Sequence, residues 1–286
     1  MFKGSGVAIV TPFNPDLSVD YPTLETLLNW HVENQTDAII ITGTTGEATT
    51  LTYEEQLAVI AFAVKVIDKR IPVIAGTGSN NTMHMVKLSQ EAEKLGVDGL
   101  LCVTPYYNKA TQEGLYQHFS SVAKAVNIPI ILYDVPARTQ VTISVDTLVR
   151  LSVFDNIVGI KDATGDLDHN KAILEALPEF LVYTGNDDLI YDVLDNGGVG
   201  VISVVANIKP YDTHRLVWSY LEGDHKASKA LQEKLNPLID QLFIEPNPIA
   251  VKYALNTLNL IPNGSLRLPL TELSEKYHSA LIEVIS

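Results

Sequence analysis

The sequence predicts an α/β chain closed into a (β/α)8 barrel, a TIM barrel, with a helical appendage at its C-terminus. Three observations carry this. Eight short apolar runs alternate with eight longer amphipathic stretches. The runs are rich in Val, Ile and Leu and barely alternate with polar residues, as parallel strands covered on both faces do. And no Gly-x-Gly-x-x-Gly follows the first run, which counts against the rival open, doubly wound sheet.

The elements follow in order. A run at 7–10 leads to a helical stretch at 21–34, with Leu24, Leu27, Leu28 and Val32 on one face. The second run, 38–42, precedes 52–69, which opens on a Thr-x-x-Glu capping box from Thr52 to Glu55. Run 73–76 is followed by 81–95, ended by Gly96 as a helix C-terminus favours. Runs at 100–104, 130–134, 157–161, 181–185 and 199–204 alternate with helical stretches at 113–126, 144–151, 168–177, 187–196 and 210–222. Beyond Gly223 no strand run appears, and 226–243, 247–258 and 271–285 read as helices. The expected organisation is a barrel over 1–224 and a C-terminal helical region over 225–286, packed on the barrel or on a neighbouring subunit.

Composition narrows the function. The chain has 286 residues, 46% of them hydrophobic, enough for a large core. Its formal charge of −14 and the lack of a basic stripe make nucleic acid and anionic membranes poor partners. No apolar run is long enough to span a bilayer, and the N-terminus lacks a signal-peptide pattern. Cys102 is the only cysteine, set among apolar residues, so it reads as a small core residue and a cytoplasmic address is expected. No two of the seven histidines are spaced as a helical metal pair, so a metal site has no support.

In barrels of this kind the chemistry sits at the C-terminal ends of the strands. That rule sets aside Gly197-Gly198-Val199-Gly200, Pro72 and Pro129, which precede strands. On the functional face lie Gly43-Thr44-Thr45-Gly46-Glu47, whose amides and hydroxyls suit a carboxylate or phosphate, and Gly76-Thr77-Gly78-Ser79-Asn80. The next three strand ends deliver Tyr106 and Tyr107, then Tyr133 and Arg138, then Lys161. A lysine drawn out of water loses proton affinity from its usual ~10.4 and becomes a nucleophile able to form Schiff bases. On these residues alone two readings stand: a rim of packing tyrosines with a solvated strand-end lysine, or a carbonyl-condensing site.

Several stretches break the tie. They are Ala8-Ile9-Val10-Thr11-Pro12-Phe13, the Gly43–Glu47 loop, Pro72 through Gly78, Val103 through Asn108, Tyr133-Asp134-Val135-Pro136-Ala137-Arg138-Thr139, Gly159-Ile160-Lys161, Gly200-Val201-Ile202-Ser203 and Glu245-Pro246-Asn247-Pro248. Over nearly its whole length the chain resembles the dihydrodipicolinate synthase family, within the pyruvate-dependent Schiff-base lyases that include N-acetylneuraminate lyase. The resemblance implies that Lys161 forms a Schiff base with pyruvate. Tyr133 would shuttle protons in a hydroxyl relay with Thr44 and Tyr107, the last reaching across a tight dimer interface. Thr45 and the backbone at Ile202 would hold the pyruvate carboxylate, Gly185 would line the pocket, and Arg138 would bind the carboxylate of L-aspartate 4-semialdehyde. The implied product is 4-hydroxy-tetrahydrodipicolinate, for lysine and diaminopimelate biosynthesis. No cofactor or metal is implied, and the implied assembly is a homodimer or a homotetramer built as a dimer of tight dimers.

The chain also departs from the family pattern. Asp134 stands where many relatives have asparagine, and is expected to point away from Tyr133 into the loop. Gln140 replaces a glycine. At the effector site of the lysine-inhibited members, Asn80 and Tyr106 fit, but His84 replaces the effector-binding glutamate, and Gln56 and Tyr53 replace histidines. Weak or absent feedback by lysine is therefore expected. Sister aldolases would share Lys161 and Tyr133 but generally lack Arg138; a non-catalytic relative would lose the lysine or the hydroxyls.

Overall fold

Eight parallel strands, each hydrogen-bonded to the next in chain order, close on themselves in the computed structural model, which describes residues 1–285. They are β1 (Gly4–Ala8), β2 (Ala38–Ile41), β3 (Val73–Gly76), β4 (Gly99–Val103), β5 (Ile130–Asp134), β6 (Ile157–Asp162), β7 (Leu181–Thr184) and β8 (Gly200–Ser203). The helices are α1 (Tyr21–Glu33), α2 (Tyr53–Ile67), α3 (Thr82–Lys94), α4 (Gln112–Ala123), α5 (Pro136–Thr139), α6 (Val145–Leu151), α7 (Leu167–Ala176), α8 (Ile190–Asp195), α9 (Pro210–Leu221), α10 (His225–Leu242), α11 (Ile249–Thr257) and α12 (His278–Ile285). The closed barrel expected from the alternation of runs is the observed architecture.

Strand pleating divides the apolar residues into two cores. Ile39, Ile41, Leu100, Cys102, Leu132, Ile160 and Val182 face outward and pack with the helices. Ala38, Ile40, Ile74, Leu101, Ile131, Tyr133, Tyr183 and Ile202 form the inner core. Its floor is Phe2, stacked on Tyr183 at 4.7 Å between ring centroids and accepting the Tyr183 hydroxyl on its carbonyl at 2.5 Å. Cys102 is a buried member of the outer core, its thiol pushed up to about 11 by burial.

Local signals held where they are local. Thr52 Oγ1 accepts from Glu55 N at 3.2 Å while Glu55 Oε2 accepts from Thr52 N at 2.9 Å, the reciprocal pair of a capping box. Gly197, at φ +100, turns α8 into the approach to β8. Two elements differ from expectation. β1 begins at Gly4, not Val7, because its first three residues, Gly4, Ser5 and Gly6, pair with β8 but carry no apolar side chain. A Cβ on Gly200 would lie 2.0 Å from the Gly4 carbonyl, an approach only glycine permits. The short helix α5 had no periodic signal; Pro136 starts it, and Gln140 ends it at φ +58, the left-handed position that suits the family's glycine.

Past residue 224 the chain forms α10, α11 and α12. Gln232 of α10 donates to Asp187 O at 3.0 Å and accepts from Tyr191 N at 3.1 Å, so this region packs on the barrel. Among the described residues no helix is long and apolar enough to cross a membrane.

Candidate active site

β6 is held between β5 and β7 with Tyr133, Lys161 and Tyr183 at one level. Because Ile160 faces the helices, pleating turns Lys161 inward. Its side chain is 6% exposed overall, and its Nζ stands 4.3 Å from the centroid of the Tyr133 ring. Of the two tyrosines registered against the lysine, Tyr183 commits its hydroxyl to the floor. Tyr133, 7% exposed, commits its hydroxyl to no partner among the described residues and lies beside the amine.

Room for the lysine stem comes from Gly185, just after β7. A Cβ there would meet Lys161 Cε at 2.8 Å and the Ala163 Cβ at 2.7 Å, and the Gly185 N–H is tied to Asp162 O at 2.6 Å. Ile202 is fully buried in β8, on the lumen side.

The loop after β2 brings Thr44 and Thr45 to the same mouth. Thr45 is buried, and its hydroxyl accepts from Asn247 Nδ2 at 2.9 Å. Thr44 is half-buried. Arg138, on α5, is exposed at the rim, where its Nη2 donates to Asn247 O at 3.0 Å. Tyr107 stands apart: it is 92% exposed at φ +74, and among the described residues its hydroxyl has no bond to Thr44 or Tyr133. Contacts thus join Lys161 to Tyr133 and Gly185, and Asn247 joins Thr45 to Arg138, while Tyr107 stays outside both groups.

Asp134 points away from Tyr133 into the loop between α5 and α6, as expected, and the loop closes over it as a dry layer. It is fully buried, and Oδ2 accepts from Ile143 N at 2.7 Å. Burial pushes its carboxyl up to about 7, with the neighbouring Asp162 adding to the rise. Asp162 in turn accepts from Thr164 N at 2.7 Å and contacts His169 Nδ1 at 2.9 Å, which holds the histidine above its ordinary value. This cluster braces the ends of β5 and β6 behind the lysine–tyrosine pair.

Two contributors were not anticipated. Asp187 is buried and accepts from Val204 N at 3.0 Å and Val205 N at 2.8 Å, fixing the turn that follows Ile202. Burial pushes its carboxyl up; those donors, Ser203 and the Lys161 charge pull it back. An acid two residues past a strand-end glycine on the functional face was a readable signal. Asn247 joins Thr45 to Arg138, and its motif was visible but its role was not. At the expected effector positions, His84 meets Tyr53 edge-on at 5.6 Å between ring centroids, and Gln56 Nε2 donates to Ala48 O at 2.7 Å.

Comparison with known proteins gives one consistent result. The model of the dihydrodipicolinate synthetase family matches residues 1–286. A 4-hydroxy-tetrahydrodipicolinate synthase of Thermoanaerobacter sp. (strain X514) is 50% identical over 288 residues, covering 100% of this chain and 96% of that one. The crystal structure of dihydrodipicolinate synthase from Aquifex aeolicus superposes with a TM-score of 0.97 at 46% identity, covering 99% of this chain and 97% of that one. The chloride-inhibited enzyme from Acinetobacter baumannii, solved with pyruvate, gives a TM-score of 0.97 at 48% identity over 100% of this chain and 98% of that one.

Proposed function

The chain belongs to the dihydrodipicolinate synthetase family, and from that premise we propose that it is a Schiff-base lyase joining pyruvate to L-aspartate 4-semialdehyde. The observation that carries this is the buried Lys161 amine, 4.3 Å from the Tyr133 ring in the barrel mouth.

The steps follow from that geometry. The Lys161 amine adds to the pyruvate ketone, and loss of water gives an imine. Its cationic nitrogen is an electron sink, so the methyl group surrenders a proton to the Tyr133 oxygen and an enamine forms. The enamine carbon attacks the aldehyde of the second substrate. The amine of that substrate then adds at the imine carbon, displaces Lys161 and closes the ring, giving 4-hydroxy-tetrahydrodipicolinate and a free lysine. Thr45, with the backbone at Ile202, holds the keto-acid carboxylate; Thr44 extends the relay; Gly185 leaves the lysine its path; Arg138 meets the aldehyde's carboxylate at the rim. The exposure of Tyr107 and its left-handed backbone support a homo-oligomer in which this side chain serves a neighbour's site.

Borohydride reduction in the presence of pyruvate tests the reading. One reduced pyruvate per chain, mapped to Lys161 and lost in Lys161→Ala, is expected, with turnover on aspartate 4-semialdehyde in a coupled assay. Finding no adduct, or an adduct on another lysine, overturns it. Turnover on a sugar-derived keto acid instead assigns the same chemistry to a sister substrate.

A further inference from the structure

A second buried lysine has no part in those steps. Lys252, on α11, has a fully buried side chain, as does Glu47, and the two are in ion-pair contact at 2.5 Å between Nζ and Oε1. Lys252 Nζ also donates to Ser265 O at 2.8 Å and lies 4.0 Å from the centroid of the Phe13 ring. Glu47 Oε2 accepts from Arg267 N at 3.0 Å.

Glu47 closes the Gly43–Glu47 loop, at φ +54, a backbone state that a glutamate keeps only when its surroundings impose it. The rest of the loop is tied by Thr11 Oγ1 donating to Gly46 O at 2.7 Å and by Glu47 N donating to Thr44 O at 3.1 Å. Asn247, five residues before Lys252, bonds the Thr45 hydroxyl. Two contacts from one C-terminal segment therefore grip the stretch that presents Thr44 and Thr45. Stability does not account for the pair, since a buried ion pair seldom outperforms apolar residues of like volume. Placement does.

We propose that Glu47 and Lys252 are positioning residues for the keto-acid carboxylate: by clamping the loop to α11 they set Thr45 against Ile202, and they make the C-terminal helices part of the pyruvate site. This rests on reading the loop as the pyruvate cradle.

The test is borohydride trapping on the full chain, scored by intact mass across pyruvate concentrations. Glu47→Gln with Lys252→Met removes both charges together, so no uncompensated charge stays buried. Glu47→Asp keeps both charges and draws the loop in by one methylene. Each is expected to keep one adduct per chain at saturation while raising the half-saturating pyruvate about tenfold, as misplacement on the ångström scale does. The half-saturating aldehyde should move less than twofold. If the double variant does not fold, Glu47→Asp alone decides. Half-saturation within twofold of the unsubstituted chain in a folded variant overturns the proposal and leaves the function standing. No adduct on the unsubstituted chain overturns the pyruvate reading, and this one with it.

Discussion

Gly185→Ala tests whether the reacting lysine needs the space beside β7. The added methyl would sit 2.8 Å from Lys161 Cε, with the Ala163 methyl at 2.7 Å. Ala163 has no side-chain freedom, so that contact is relieved only by a small backbone shift, while the flexible lysine yields. Ordinary contact begins near 3.4 Å, so the lysine stem must retreat by about 0.6 Å at the least. Gly185 is not among the positive-φ residues, so the alanine meets no backbone strain. Displacements near 1 Å cost reacting groups about 100-fold, so the loss in turnover should lie between about 10- and 100-fold, or about 1.4–2.7 kcal/mol in the barrier. Overpacking should cost the fold about 1–3 kcal/mol, a drop in melting temperature that leaves the variant folded at 25 °C. The assays are coupled turnover and the rate of borohydride-trapped adduct formation, both below the melting transition. Turnover and trapping rate within threefold of the unsubstituted chain would show that Gly185 does not shape the path of the lysine.

Tyr133→Phe should retain pyruvate trapping while turnover falls by about 10²–10⁴, the range for losing a positioned proton carrier; unchanged turnover would move the relay elsewhere. Arg138→Ala should raise the half-saturating concentration of the aldehyde at least tenfold and that of pyruvate much less, since its guanidinium stands at the rim; steady-state kinetics with each substrate varied decides. Asp134 gives a pH signature. Its folded carboxyl is raised to about 7, so the folded chain keeps a proton that the unfolded chain releases near pH 4. Its ionisation therefore lowers stability as pH rises from about 4 to about 7. Asp134→Asn should raise the melting temperature at pH 8 and change it little at pH 4; equal gains at both would refute the burial argument. Lysine at millimolar concentration should leave turnover nearly unchanged, because His84 offers no carboxylate to an effector's ammonium; half-inhibition below 1 mM would contradict this.

Most of the barrel could be read from single stretches, because strand runs, caps and glycine turns are local. Lys161 and Tyr133 could be placed on one rim because strand ends in a closed barrel share a face. The start of β1 was hidden because it opens on Gly4, Ser5 and Gly6, which give no apolar run. What escaped lies between residues far apart in the chain: Asn247 reaches Thr45 across 202 positions. Lys252, in a helix of ordinary amphipathic pattern, gives no local sign that its ammonium meets Glu47 and a phenyl ring in a dry interior. Asp134 could be oriented by pleating, but its exclusion from water depends on the Ile143 segment folding over it.

Phe2, buried and seated against Tyr183 ahead of β1, closes the N-terminal end of the inner core. In the proposed reaction the keto acid, the aldehyde and the cyclised product would then use the strand C-terminal end, where Arg138 is exposed. Pyruvate is seated first in that scheme, because no carbon nucleophile exists before the enamine forms, and the closed floor leaves the aldehyde only the side from which pyruvate came.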